Sequence, residues 1–166
     1  MAKAQKNQKS YAMKIADLLT RGLSPEAIKW ELLGGRQFST HIPATALEFH
    51  DAVLHGVPKL SIDILAGIMD IPMTTMANLL NMSYKTLTRK NKTDLLDPMV
   101  SSHTSEISDT IVKGFEVFED GGRLNKWLNK ENRALKGRKP FDLMYTPTGI
   151  KLVNQVLGRL EEGIYS

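Results

Sequence analysis

An all-α fold is predicted by three observations. Pro, Gly, Ser and Thr punctuate the 166 residues into helix-length pieces, apolar residues inside each piece recur every three or four positions, and no stretch alternates as a strand does. Hydrophobic residues make up 42% of the chain, enough for one domain with a sizeable core or two small ones sharing an interface.

The first helix is expected near Tyr11 to Arg21, with Ala12, Ile15, Leu18 and Leu19 on one face, after ten Lys/Gln-rich residues expected to fray. Gly22 stops it. Ser24 caps a second helix with Pro25 at its first position, and Gly34-Gly35 mark its end. A third begins near Pro43, carries Leu47, Phe49, Val53 and Leu54, and closes at Gly56 and Pro58. A fourth follows Ser61 with Ile64, Leu65 and Ile68 inward, and a fifth and sixth fill Pro72 to Asn91. Beyond a turn at Asp97-Pro98, Ile107, Ile111, Phe115 and Phe118 keep helical spacing up to Gly121-Gly122, making a joint between the middle unit and the C-terminal third. Leu124, Trp127 and Leu128 come next, then a polar loop from Asn129 to Lys139. Thr146-Pro147 start a last helix with Ile150, Val153, Leu157 and Leu160 on one stripe, ended by Gly163.

Composition narrows the function. No apolar run approaches the roughly 20 residues of a transmembrane helix, and the start of the chain lacks the apolar core of a signal peptide, so a cytoplasmic protein without a membrane partner is expected. Zero cysteines removes disulfides, thiolate metal sites and a cysteine nucleophile together. The four histidines, His41, His50, His55 and His103, have no metal-ligand spacing; the His50/His55 pair does not share a helical face. With no phosphate loop and no nucleophile–base spacing, neither catalysis nor a cofactor is expected.

Net charge is +4, but its distribution says more. Between Ser83 and Lys92 stand Lys85, Arg89, Lys90 and Lys92 with no acid, and between Arg123 and Lys139 seven basic residues face Glu131 alone. Either run could be a solvated face. The first falls in Pro72–Lys90, which reads as a helix-turn-helix: Ala77 where two short helices cross, Asn81 tolerating positive φ at the turn, Met82 as the plug, Ser83 as the N-cap and Leu87 as the inward anchor. With Leu87 inward, the opposite face presents Tyr84, Lys85, Thr88 and Arg89 to a major groove, and Lys90 and Lys92 to phosphates. Two ordinary packed helices would use the same small and polar residues. The basic, acid-free second helix favours DNA, and Asn81 in place of Gly and Pro72 at the entrance depart from the usual pattern.

The C-terminal third carries the order W-L-N from Trp127, N-x-A-L-x-G-x-x-P-x-D-L from Asn132, T-x-x-G from Thr146, V-x-x-x-L-G-R-L-E-x-G from Val153, and a Tyr165-Ser166 tail. Trp127 and Leu128 can anchor the loop to the core, Gly137 with Pro140 fixes a bend, and Asp142 can cap the short turn after it. Gly158 inside a helix costs roughly 0.5–1 kcal/mol relative to Ala, which a close backbone or partner approach would offset. Arg159, with Arg133, Lys136 and Arg138, forms a basic surface outside any DNA motif. A protein partner is the economical explanation.

Residues 123–166 resemble the toxin-binding domain of Xre/MbcA/ParS-type antitoxins, the partners of RES-domain toxins, and residues 60–92 resemble the same family's helix-turn-helix more loosely. The resemblance implies an antitoxin of a type II toxin–antitoxin pair that neutralises a RES-type, NAD+-degrading toxin by occluding its active site, with no chemistry of its own. It also implies repression of the pair's operon through operator DNA. Toxin contacts are then expected at Arg133, Lys136, Arg138, Arg159 and the terminal Ile164, Tyr165 and Ser166, the last three otherwise packing back on the domain. Because helix-turn-helix proteins meet two half-sites, a homodimer is implied, with the apolar helices of 11–55 as its contact. The expected organisation is an N-terminal extension at 1–58, a helix-turn-helix region at 59–100, a connecting helix at 101–122 and the toxin-binding domain at 123–166. The alternative is a transcriptional regulator without a toxin.

Overall fold

In a computed structural model, which describes residues 21–163, six of the described α-helices start at a side-chain cap, and those opening at Leu60, Met73 and Pro140 start without one. The helix expected at 11–21, apart from Arg21, which lies in a turn, and the tail residues Ile164, Tyr165 and Ser166 lie outside the described residues. Ser24 Oγ accepts the Ala27 N–H ahead of α1 (Pro25–Leu32), and Gly34 and Gly35, at φ of 113° and 59°, turn the chain after it. Thr45 caps α2 (Ala46–His55), so this helix begins after the expected Pro43. Phe49 and Val53 face inward, but Leu47 and Leu54 are 68% and 49% exposed.

α3 (Leu60–Ile68) is the most buried element, and it meets α4 (Met73–Leu79) at 109°. A tight turn joins α4 to α5 (Tyr84–Arg89). The residues after α5 then return to the entrance of α3: the Lys59, Leu60 and Leu96 N–H groups donate to the Asp94, Lys92 and Val57 carbonyls, each at 2.9 Å. Pro58 and Leu95 form an isolated antiparallel bridge there; among the described residues there is no β-strand.

The organising element is α6 (Pro98–Phe118). Asp97 Oδ1 accepts the Met99 and Val100 N–H groups, so the expected Asp97-Pro98 turn is the cap and first position of this helix. Toward its C-terminus it buries Ile111, Val112 and Phe115, and toward its N-terminus Ser101, Thr104, Ser105 and Ser108, with Ile107 and Thr110 as the exceptions to this grading. Small hydroxyl side chains let neighbouring backbone approach, and each finds a local acceptor when no other partner is near. Thr104 Oγ1 donates to the Val100 carbonyl at 2.7 Å and Ser108 Oγ to that of Ser105 at 2.7 Å. Ser101 reaches further, donating to the Leu96 carbonyl and accepting the Val57 N–H at 3.0 Å.

α6 ends at Phe118, before the expected Gly121-Gly122. Glu119 takes the left-handed conformation at φ 54°, and the two glycines open α7 (Gly121–Leu128), capped by Asp120. α7 folds back so closely that a Cβ on Gly114 would lie 2.4 Å from Leu124 Cδ1. The short α8 (Pro140–Leu143) and the long α9 (Pro147–Glu161) complete the chain. α1, α2, α3, α7 and α9 all pack on α6, and one apolar core runs continuously from Ile28 to Leu157. Among the described residues no single helix is long and apolar enough to cross a membrane.

Gly149 marks the tightest contact: a Cβ there would lie 1.8 Å from the Leu143 carbonyl oxygen. Gly149→Ala is expected to cost roughly 1–3 kcal/mol through overpacking, lowering the melting temperature by about 2–4 °C per kcal/mol. Thermal denaturation followed by circular dichroism checks this, and an unchanged midpoint contradicts the close approach.

Candidate functional site

Two basic surfaces stand out, and the first is built on the turn between α4 and α5. Ala77 is fully buried where these helices meet, and Asn81 takes φ 54°. The Met82 N–H donates to the Ala77 carbonyl at 2.9 Å, and Ser83 Oγ accepts the Thr86 N–H at 3.0 Å. Leu87 is fully buried, so the rest of α5 faces out: Tyr84 is 50% exposed, and Lys85, Thr88 and Arg89 are exposed too. Thr88 turns its hydroxyl to the Lys85 carbonyl at 3.2 Å. Lys90 is half-buried and donates to the Leu95 carbonyl at 3.1 Å, which ties it to the protein's own backbone. Lys92 is exposed.

The second surface is the loop between α7 and α8. Asn132 caps a single 3-10 turn, Arg133–Leu135, by accepting the Ala134 N–H at 2.9 Å. Lys136 and Gly137, at φ of 55° and 79°, reverse the chain, and the Asn132 N–H meets the Arg138 carbonyl at 3.1 Å. Leu135 is the buried anchor of this knob, whereas Arg133, Lys136 and Arg138 are all exposed or half-exposed at its surface. Trp127 is half-buried against Phe118, their ring centroids 5.6 Å apart, and Leu128 is buried. Asn125 donates from Nδ2 to the Ile68 carbonyl, fastening α7 to the end of α3. Asp142 does not cap α8; it lies in the helix's first turn, exposed, and the cap position belongs to Lys139 without a side-chain bond.

α9 runs alongside α6 in the same direction. His103 Nε2 reaches the Met144 carbonyl at 2.9 Å near one end, and Lys113 covers Gly158 near the other. Thr146 Oγ1 accepts the Gly149 N–H at 3.1 Å to start α9. Arg159 is exposed and lines an open groove between the two helices with Lys113, Lys151, Asn154, Gln155, Gly158 and Glu162. It therefore sits on a different element from the Arg133–Arg138 knob. At Gly158 the close approach expected from the sequence is made by a side chain: a Cβ would meet Lys113 Nζ at 3.1 Å.

On the adjoining side of α6, with Lys113 shared between the two, carboxylates outnumber cations. A cleft of about 520 Å³ between α1, α2 and α6 is lined by Glu26, Glu106, Asp109 and Glu116, with Lys29 paired to Asp109 at 2.7 Å. This acidic cleft had no signal in the sequence, because its carboxylates come from two helices far apart along the chain. Burial, then the Glu161 carboxylate, hold the Glu116 carboxyl above its ordinary range, with Lys113 opposing and Glu26 adding to the rise. Among the described residues no group of three or more His, Asp or Glu side chains could hold a metal ion.

Residues 113–163 match the family model described as Antitoxin Xre/MbcA/ParS C-terminal toxin-binding domain. That stretch carries an antitoxin's toxin-binding domain. The toxin-binding domain so matched takes in the end of α6 as well as α7, the basic knob, α8 and α9, the segments that pack on one another. A search of curated proteins gave no match.

A raised carboxyl pKa adds stability at low pH that is lost as pH rises through the folded-state value. Glu116→Gln is thus expected to raise the melting temperature at pH 7, by an effect within about 0.5 kcal/mol given its solvent exposure, and to change nothing well below the ordinary Glu range. Melts at pH 7 and pH 3 check this; a destabilised variant at pH 7 would reverse the sign.

Proposed function

We propose that this protein is the antitoxin of a type II toxin–antitoxin pair, and that its toxin is a RES-type enzyme that degrades NAD+. The observation that carries the reading is the toxin-binding domain match at residues 113–163. The cations on the surface of that domain support it: Arg133, Lys136 and Arg138 on a knob held by its own backbone, and Arg159 on α9. The terminal Ile164, Tyr165 and Ser166 complete the proposed site by entering the toxin's cleft. Inhibition is steric, and no side chain of this protein does chemistry. Co-expression tests the reading: the full chain restores growth to cells making the toxin encoded beside its gene. Deletion of 162–166, or Arg159→Glu, removes the rescue. Rescue surviving both changes places the site elsewhere, and the absence of a toxic neighbour favours a plain transcriptional regulator.

The surface of α5 supports a second role, repression of the operon by a homodimer. Tyr84, Lys85, Thr88 and Arg89 project from one short helix, free of acids, with Lys90 and Lys92 behind them. Exposed Leu47 and Leu54 share one stripe of α2 and supply an apolar face for the second copy. Lys85→Ala with Arg89→Ala is expected to abolish operator binding in band shifts and to leave toxin neutralisation intact. Light scattering on the same preparations should give a dimer. An unaltered shift and a clean monomer would each remove its half of the proposal.

A further inference from the structure

α9 buries Ile150, Val153, Val156 and Leu157 against the rest of the protein, which sets its opposite face toward solvent. Thr148, Leu152, Gln155 and Arg159 fall on one stripe of that face at the i, i+4, i+7, i+11 spacing. All four are exposed, and Leu152 keeps 44% of its surface open. Between Thr148 and Arg159 the stripe holds no acid, and Glu162 follows one turn beyond Arg159. A single exposed leucine ordinarily needs no explanation. This one lies in the matched toxin-binding domain, two turns before Arg159 on the same helix.

Distance makes the connection. At about 1.5 Å per residue, Arg159 lies about 3 Å and Leu152 about 14 Å along the axis from Glu161, where α9 ends. A standard interface covers about 800 Å² of each partner, a disc of about 16 Å radius. A protein seated over the end of α9 on its solvent-facing side therefore also covers the stripe back to Leu152. We propose that this stripe is the docking face for the toxin, with Leu152 entering an apolar pocket and Arg159 meeting a carboxylate on its rim. The proposal deepens the antitoxin reading and rests on it, since it assumes that the end of the chain reaches the toxin. Arg159 supplies a bidentate cation, and Leu152 supplies the apolar contact that excludes water around it.

The test titrates the full chain against the purified toxin encoded beside its gene, using isothermal calorimetry with growth rescue in parallel. Leu152→Glu is expected to raise Kd by at least about tenfold. Leu152→Met keeps both volume and binding. Ile42→Glu, which places the same charge at an exposed aliphatic position outside the matched domain, leaves Kd unchanged. Circular dichroism confirms the fold of each variant; if Leu152→Glu does not fold, Leu152→Ala is expected to weaken binding by about threefold or more. Wild-type affinity in the folded Leu152 variants overturns the docking face while the antitoxin reading stands. A wild-type chain that neither binds nor rescues overturns both.

Discussion

Burial of α6 on nearly all sides places five of the other helices directly, and α4, α5 and α8 are attached through those five. A helix with five neighbours needs small residues where backbones come close and large ones where gaps must be filled, and α6 grades from one to the other along its length. Ser101, Thr104, Ser105 and Ser108 lie toward its start and Ile111, Val112 and Phe115 toward its end, with Ile107 and Thr110 interleaved between them. The hydroxyls do more than save space. Ser101 bridges the Leu96 carbonyl and the Val57 amide, two backbone groups that would otherwise be buried without partners where the chain leaves α5 and where it enters α3.

That grading also explains what was legible in the sequence. Caps and stops were readable because they depend on one residue and its near neighbours: Ser24, Ser83, Thr146 and Gly34-Gly35 all act locally. The apolar stripe of α6 was readable by period, but its Ser/Thr stripe was not. A buried serine has the same letter as a solvated one, and only the approach of another backbone decides between them. Gly121-Gly122 misled as a stop, because Glu119 adopts the left-handed conformation that glycine usually supplies and leaves the glycines to begin α7. Leu47 and Leu54 were periodic yet exposed, since α2 meets the core along the narrower line of Phe49 and Val53.

The candidate sites divide in the same way. The motif order of the last third pointed to a toxin-binding domain, and the Thr146–Gly149 pair within it has a steric cause in the Leu143 carbonyl. What a linear reading could not supply was relative placement. Arg159 and the Arg133–Arg138 knob belong to different elements, and Lys90 places its ammonium on the Leu95 carbonyl. The acidic cleft was equally hidden, and it adjoins the basic groove along α6, with Lys113 lining both.

The Ser101 bridge has one more consequence. The hydroxyl joins the two ends of the segment that holds α3, α4 and α5 to the helix on which α9 lies. No slack linker separates the surface of α5 from that of α9, so the two are fixed in orientation like the ends of a wrench. A large body held at one end has its swept volume at the other end set by this frame. Whether two macromolecules can be carried at once is then a question of clearance, decided by rigid geometry more than by any signal passing through the core.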